Sequence, residues 1–342
     1  MKWQMVVACA ATATLLSGCV GTSSTQTTGG ESQAAPSSTS ATTSASAPAT
    51  SDQAQAPATE RRDIDAVGDG ATEHKLDLFL PTGQGNGPFP LVIWVHGGGW
   101  KGGDKSDILR AEDIQMIQTT NLLREKGYAV ASPNYRLMPN AKFPEPMQDV
   151  AASVRYLRTH ADELGVDPDK FALMGDSAGA HLASMTAFAQ DRKDLQGNLG
   201  GETEQASDSH VKAFVGYYGI YDLTQRTSDQ QQICGGGKGG MESSHGRLIG
   251  VDPDSAEGRE TALAASPVSY AAATSPATLL FSGREDCTAP YPQAERFAKA
   301  IQDAGGTAEL TIIDRSHGDP QFFTDPAIHE QLITFLDTHV KN

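Results

Sequence analysis

The chain has 342 residues, with 26 Lys and Arg against 42 Asp and Glu, a net charge of −16. A surface that acidic repels polyanions at long range, which argues against a nucleic-acid partner and favours a neutral substrate over a polyanionic one. Residues 1–62 carry three charges of each sign, so the whole net charge belongs to the remainder.

In chain order, Lys2 precedes an apolar stretch from Met5 to Leu16 that is too short to span a bilayer and ends in small residues. That is the pattern of an export signal, expected over residues 1–18. Leu16-Ser17-Gly18-Cys19 resembles the bacterial lipobox, which implies cleavage before Cys19 and its lipidation; an ordinary signal with an incidental cysteine is the alternative. Residues 21–60 hold only Ser, Thr, Ala, Gly, Pro and Gln apart from Glu31, Asp52 and Glu60, a composition that cannot build a core. Residues 19–62 are therefore expected to be a lipid-anchored tether with a mean span on the order of 35 Å. It would hold a folded domain, residues 63–342, at the outer side of the cytoplasmic membrane. No other membrane contact and no protein partner is expected.

Asp63 to Leu80 reads as an opening antiparallel hairpin. Leu91 to Val95 is a continuous apolar run of strand type, followed by His96-Gly97-Gly98-Gly99-Trp100. Successive glycines let a backbone with free amides approach a ligand closely. Gly98 and Gly99 are accordingly expected to supply half of an oxyanion hole, with His96 and Trp100 supporting the loop. Further strand-like runs follow at Ala129–Pro133, Phe171–Met174, Ala213–Tyr217, Thr278–Phe281 and Leu310–Ile313. Between them, 149–160 places Val150, Val154 and Leu157 on one helical face, and 294–303 does the same with Phe297, Ala298 and Ile301. The alternation predicts an α/β fold, a mostly parallel sheet flanked by helices.

The run Phe171-Ala-Leu-Met-Gly-Asp-Ser-Ala-Gly-Ala-His181 carries G-x-S-x-G at a strand-to-helix turn, the pattern of a nucleophile elbow. Ser177 would project above the sheet, and the Ala178 amide at the helix N-terminus would complete the oxyanion hole. Alone the pentapeptide matches by chance often; the upstream glycine loop is what makes it informative. Residues 223–265 break the alternation with Cys234-Gly-Gly-Gly-Lys-Gly-Gly240 and few large apolar side chains, and read as a cap or mobile loop over the site. A phosphate-gripping loop is disfavoured because no strand leads into it and no Lys-Ser or Lys-Thr closes it.

The acid and base should follow the serine, each just past a strand. Asp286 is preferred as the acid over Glu285 and Asp314, and His317 as the base. His329 and His339 fall in a terminal amphipathic helix, and His181, one turn after Ser177, reads as a satisfied core histidine. His317 would take the Ser177 proton during attack on a carbonyl, with Asp286 orienting the imidazole. No cofactor is expected and no metal: the chain has no H-E-x-x-H, paired C-x-x-C or calcium-loop spacing.

On these residues the chain resembles the α/β-hydrolase group that joins hormone-sensitive-lipase-like carboxylesterases with bacterial feruloyl and acetyl esterases and kynurenine formamidases. The likeness is carried by His96–Trp100, Asn134-Tyr135-Arg136-Leu137, Phe143-Pro144, Asp149-Val150, Gly175–Leu182, Asp286 with Pro290, and Ser316-His317-Gly318, and covers about residues 63–340. It implies an eight-stranded α/β-hydrolase sheet with a small cap insertion, about 223–265. Trp100 looks more like the formamidase and feruloyl-esterase branch, and Pro139-Asn140 departs from the Pro-Glu common in the lipase-like branch. With Cys9 and Cys19 assigned to the signal and anchor, Cys234 and Cys287 are expected to be bonded in an oxidising compartment, two free thiols being the alternative. The expected function is a surface-tethered serine carboxylesterase acting on a short or aromatic acyl ester, a small molecule or an acylated glycan. An amidase or formamidase, or a noncatalytic binding lipoprotein of the same fold, are the alternatives.

Overall fold

In the computed structural model the described residues are 59–83, 85, 87–109 and 114–342. The expected signal segment, Cys19 and the tether up to residue 58 lie outside them. The frame is eight strands: β1 Glu60–Asp65, β2 Lys75–Phe79, β3 Phe89–Val95, β4 Ala129–Pro133, β5 Val166–Asp176, β6 Ala213–Tyr217, β7 Ala277–Gly283 and β8 Ala308–Ile313. They form one sheet in the order β1-β2-β4-β3-β5-β6-β7-β8. The two opening strands pair antiparallel, and all pairs from β4 through β8 are parallel. β1 starts three residues ahead of the expected boundary. Arg62 donates to Asp77 Oδ2 of β2 at 3.0 Å, and the Leu80 amide donates to the Thr59 carbonyl at 2.8 Å, so polar ties extend a strand that hydrophobicity alone does not mark.

Both faces of the sheet are covered, because successive side chains of a strand point to opposite sides. In β3, Leu91, Ile93 and Val95 join one buried cluster while Val92 and Trp94 join the other. The first cluster takes in Val150, Val154 and Leu157 of α2 (Glu145–Thr159), beyond α1 (Ile114–Glu125) in the chain. It also takes in Leu182 and Ala183 of α3 (Ala178–Phe188). The second cluster includes Leu123 of α1. All eleven residues of α3 are buried, so the helix that follows Ser177 has no solvent face and is fixed by its surroundings on every side. That burial explains its Ala- and Gly-rich sequence: small side chains let it lie close to β3 and β5.

Residues 223–265, expected as a cap or mobile loop, hold three short helices: α4 Arg226–Cys234, α5 Ser244–Ile249 and α6 Ala256–Ala264. Serine capping rather than apolar periodicity starts two of them, α5 and α6. The Ser243 and Ser255 side chains accept the amides of Gly246 and Gly258, each at 2.9 Å. On the far side of the chain, α7 (Pro292–Asp303) packs Phe297 and Ile301 into the first cluster, and α8 (Pro326–Leu336) packs Ile328 and Leu332 into the second.

β3 has β4 on one side and β5 on the other, so successive crossovers leave it in opposite directions. The gap above such a switch point is where open α/β sheets place ligands. The glycine loop after β3 and the turn after β5 flank that gap.

Candidate active site

The serine is held by shape. Ser177 has φ +50° and ψ −118°, a conformation that β-carbon-bearing residues adopt only when their surroundings impose it. Room for it comes from glycine: a β-carbon on Gly179 would lie 2.1 Å from the Val95 carbonyl oxygen and 2.4 Å from that of His96. The same addition at Gly175 would meet Gly179 at 2.6 Å. Glycine at both positions is therefore what lets β5 turn into α3 against the end of β3.

Ser177 Oγ lies 2.9 Å from His317 Nε2, and His317 Nδ1 lies 2.7 Å from Asp286 Oδ2. The other carboxylate oxygen, Oδ1, accepts the amides of Thr288 at 2.7 Å and Ala289 at 2.8 Å. Asp286 is fully buried while the His317 side chain keeps 24% of its exposure, so the acid is shielded and the base meets solvent. With Nδ1 facing a carboxylate that only accepts, the neutral imidazole carries its proton there, leaving Nε2 free to take the serine proton. The loops after β7 and β8 are joined: the Arg284 amide donates to the Ile313 carbonyl at 2.8 Å and the Glu285 amide to that of Arg315 at 3.1 Å. Those bonds bring 286 and 317 together. The rival acids are turned elsewhere: Asp314 pairs with exposed Arg284, and Glu285 is exposed. Tyr218 sets its ring edge-on to His317 at 4.8 Å.

Gly98 and Gly99 both have positive φ, +108° and +64°. Among the described residues neither amide has a hydrogen-bond partner, and Ala178 is the first residue of α3, where amides have no acceptor within the helix. The loop is braced from below. His96 stacks on Tyr135 at 4.3 Å, its Nδ1 bonds the Gly97 carbonyl at 2.8 Å, and the Tyr135 hydroxyl donates to the carbonyls of His96 and Gly97. Trp100, itself at φ +60°, donates to His181 Nδ1 at 3.2 Å. An indole only donates, so His181 accepts at Nδ1 and must donate from Nε2 to the Ala265 carbonyl, 2.8 Å away. Burial lowers its pKa to about 4, in keeping with a neutral ring whose two nitrogens are both occupied.

Several contributors carry no clear mark in the sequence. Asp176, the variable residue of the pentapeptide, accepts the Gly97 amide at 3.2 Å and the Trp94 indole at 3.3 Å on the same oxygen, tying the glycine loop to the elbow. Burial raises its pKa to about 6, against weaker opposing hydrogen bonds. Tyr135 lies in a motif that carries the family likeness but gave no hint of its bracing role. His329, set aside as a base, bonds Thr119 and the Phe323 carbonyl. Cys234 and Cys287 form a disulfide with Cα atoms 5.8 Å apart, joining the end of α4 to the residue after Asp286. Beside the serine turn, a cavity of about 310 Å³ is lined by Gly98, Asp176, Met116, Tyr218, Gly318 and Phe323, among others.

The sheet order, the elbow and the acid–base loops define an α/β-hydrolase fold. Solved structures agree. A truncated carbohydrate esterase from gut microbiota superposes with a TM-score of 0.73 at 24% identity, covering 83% of this chain and 97% of that one. An esterase of Thermogutta terrifontis with butyrate bound superposes at 0.60 and 22%, covering 82% and 92%. The chain belongs to the BD-FAE family, whose model matches residues 76–301. It is 28% identical over 252 residues to the esterase LipQ of Mycobacterium tuberculosis, covering 73% of this chain and 55% of LipQ. The same identity over 263 residues relates it to the isoprenylcysteine alpha-carbonyl methylesterase ICME of Arabidopsis thaliana, covering 74% and 55%. The chain spans about half the length of these curated relatives.

Proposed function

We propose that the protein is a serine carboxylesterase in which Ser177 attacks an ester carbonyl, His317 moves the proton and Asp286 orients the imidazole. The unbroken chain of contacts from Ser177 Oγ through His317 to Asp286, beside a positive-φ serine, carries this reading. His317 accepts the serine proton at Nε2 as the Oγ–carbonyl bond forms and returns it to the leaving alcohol. Asp286 stays ionised and stabilises the imidazolium. The amides of Gly98, Gly99 and Ala178 hold the oxyanion, each typically worth about 10²- to 10³-fold in rate because it meets charge that exists only in the transition state. Water then releases the acid from the acyl-enzyme. The relatives named esterase support this chemistry.

The acyl group is short or aromatic. The cavity of about 310 Å³ lies near the lower end of the roughly 300–1,000 Å³ usual for small-molecule sites, and Tyr218 and Phe323 wall it. The alcohol side is a small molecule or a glycan. The domain is carried outside the cytoplasmic membrane by a lipid on Cys19, a reading supported by the Leu16–Cys19 sequence and the polar tether.

The test is hydrolysis of p-nitrophenyl esters from acetate to palmitate, with a feruloyl ester and an anilide, by wild type and Ser177→Ala. The expectation is a loss of about 10⁵- to 10⁶-fold in kcat for Ser177→Ala, and a wild-type rate that falls steeply toward palmitate. Run on membrane and soluble fractions, the same assay should find the activity with membranes, and released from them by Cys19→Ala. Equal rates in wild type and Ser177→Ala would end the nucleophile assignment.

A further inference from the structure

We propose that Arg226, on the first helix of the 223–265 insertion, is a positioning residue for Asp286 and acts on it through the Thr288–Ala289 peptide group. The inference rests on the reading of Ser177, His317 and Asp286 as a catalytic triad and says what holds its acid.

The bonding runs without a gap. Arg226 Nε and Nη2 both donate to the Thr288 carbonyl oxygen, at 3.2 and 3.0 Å. That carbonyl belongs to the peptide group whose N–H is the Ala289 amide, and the Ala289 amide donates to Asp286 Oδ1 at 2.8 Å. A cation on the carbonyl side of an amide draws electron density from its nitrogen and makes the N–H a stronger donor, so the two bonds reinforce each other in a low-dielectric setting. The Thr288 amide adds a second bond to the same oxygen, leaving Oδ2 for the imidazole. Arg226 thus both fixes the turn that presents Asp286 and supports its negative charge from the side away from His317.

Nothing about Arg226 suggests a surface residue. It is 5% exposed, and its remaining donor group, Nη1, is spent on Ser244 Oγ at 2.7 Å and His245 Nδ1 at 2.8 Å. His245 must accept there, because a guanidinium has no lone pair to offer, so it is neutral at that nitrogen. Burial depresses the His245 pKa to about 3, which keeps it neutral. The acids nearest in sequence, Asp222 and Asp229, are engaged by Arg296, at 3.5 and 2.9 Å. Burial lowers the Arg226 pKa to about 10, and the Asp286 carboxylate acts in the opposite sense, raising it. A buried cation whose electrostatic counterpart is the triad acid is costly to keep for packing alone. The Cys234–Cys287 bond at the other end of the same helix holds the pair in register.

The experiment uses the full chain as wild type, Arg226→Met, Arg226→Lys and Ser177→Ala, with p-nitrophenyl acetate kinetics and the low-field proton resonance of His317 Nδ1. In Arg226→Met, kcat should fall about tenfold with KM within about twofold, a fraction of the roughly 10⁴-fold that loss of a triad acid's function brings. The Nδ1 proton resonance should move upfield and broaden. Arg226→Lys keeps the charge but not the planar fork, and should recover most of the loss, ending about threefold below wild type. A wild-type kcat and unmoved resonance in Arg226→Met would overturn the proposal, as would a change in KM alone. If Arg226→Met does not fold, a wild-type kcat in Arg226→Lys overturns it instead. Activity surviving in Ser177→Ala would defeat the esterase reading while leaving the resonance result to stand on its own.

Discussion

The two halves of the site are held by opposite means. The elbow and glycine loop are fixed by exclusion: backbone lies so close at Gly175 and Gly179 that nothing larger than hydrogen fits, and every residue of α3 is buried. The acid and base sit on loops fixed by attraction instead: amide bonds to Asp286, the bonds joining the loops after β7 and β8, the Arg226 contacts and a disulfide. Steric fixing is intolerant of any added atom, whereas polar fixing is distributed and loses strength by degrees. In the proposed mechanism the reacting hydroxyl and the oxyanion amides thus reside where positional error is hardest to introduce, and the proton-handling groups where some adjustment is tolerated.

The contrast is broken most sharply by one methyl group. Gly179→Ala would put a β-carbon 2.1 Å from the Val95 carbonyl oxygen, a backbone atom that has no rotamer to escape into. Either α3 or the end of β3 must move, displacing Ser177 and the amides together, so kcat should fall by about 10³-fold or more, and overpacking should remove about 1–3 kcal/mol of stability. Near-normal turnover of acetate esters by this variant would show that the elbow is not held by contact.

The polar half should respond in degrees. Opening the Cys234–Cys287 bond, with a sequence separation of 53, as Cys234→Ser with Cys287→Ser is expected to remove up to about 4 kcal/mol through unfolded-chain entropy. Activity below the melting transition should fall by under about tenfold, because the amide bonds to Asp286 do not pass through sulfur. A loss as large as that of Ser177→Ala would mean the disulfide, not the amides, positions the acid.

What the sequence made legible follows the same division. Apolar runs marked the strand cores, and Gly-x-Ser-x-Gly with the earlier glycines marked the sterically fixed half, because close approach demands glycine and glycine is visible in a sequence. β5 was underestimated at its start: Asp167, Pro168, Asp169 and Lys170 interrupt the apolar pattern, yet Val166 pairs with Phe89 and the strand runs on. Asp286 could be preferred over Glu285 and Asp314 only by spacing, since what separates them is which loop bonds form after β7 and β8. The helices of 226–264 were hidden because serine caps and buried polar ties, not apolar periodicity, sustain them. Arg226 gave no signal at all: its partner is a backbone carbonyl 62 residues away.

The smallest effect probes a polar group placed inside the steric half. Asp176 is buried with its pKa raised to about 6 from 3.8, chiefly by burial. The folded form therefore holds its proton more tightly than the unfolded chain, so its contribution to stability is greatest below pH 3.8 and is lost as pH rises through about 6. His181 opposes it: with its pKa lowered to about 4 from 6.5, it favours the folded state above pH 6.5 and loses that advantage as pH falls toward 4. Both bonds that Asp176 accepts end on Oδ1, so Asp176→Asn can keep them while removing the charge. The variant should gain at most about 3 kcal/mol over wild type at pH 8, shrinking to about 0.5 kcal/mol at pH 4, read as the difference between their denaturant midpoints across that range. In both proteins His181 should still make stability fall between pH 6.5 and 4. A variant advantage independent of pH would show that Asp176 holds its proton no more tightly in the folded protein than in the unfolded chain, and that the bonds tying Gly97 to the elbow are those of an ordinary carboxylate.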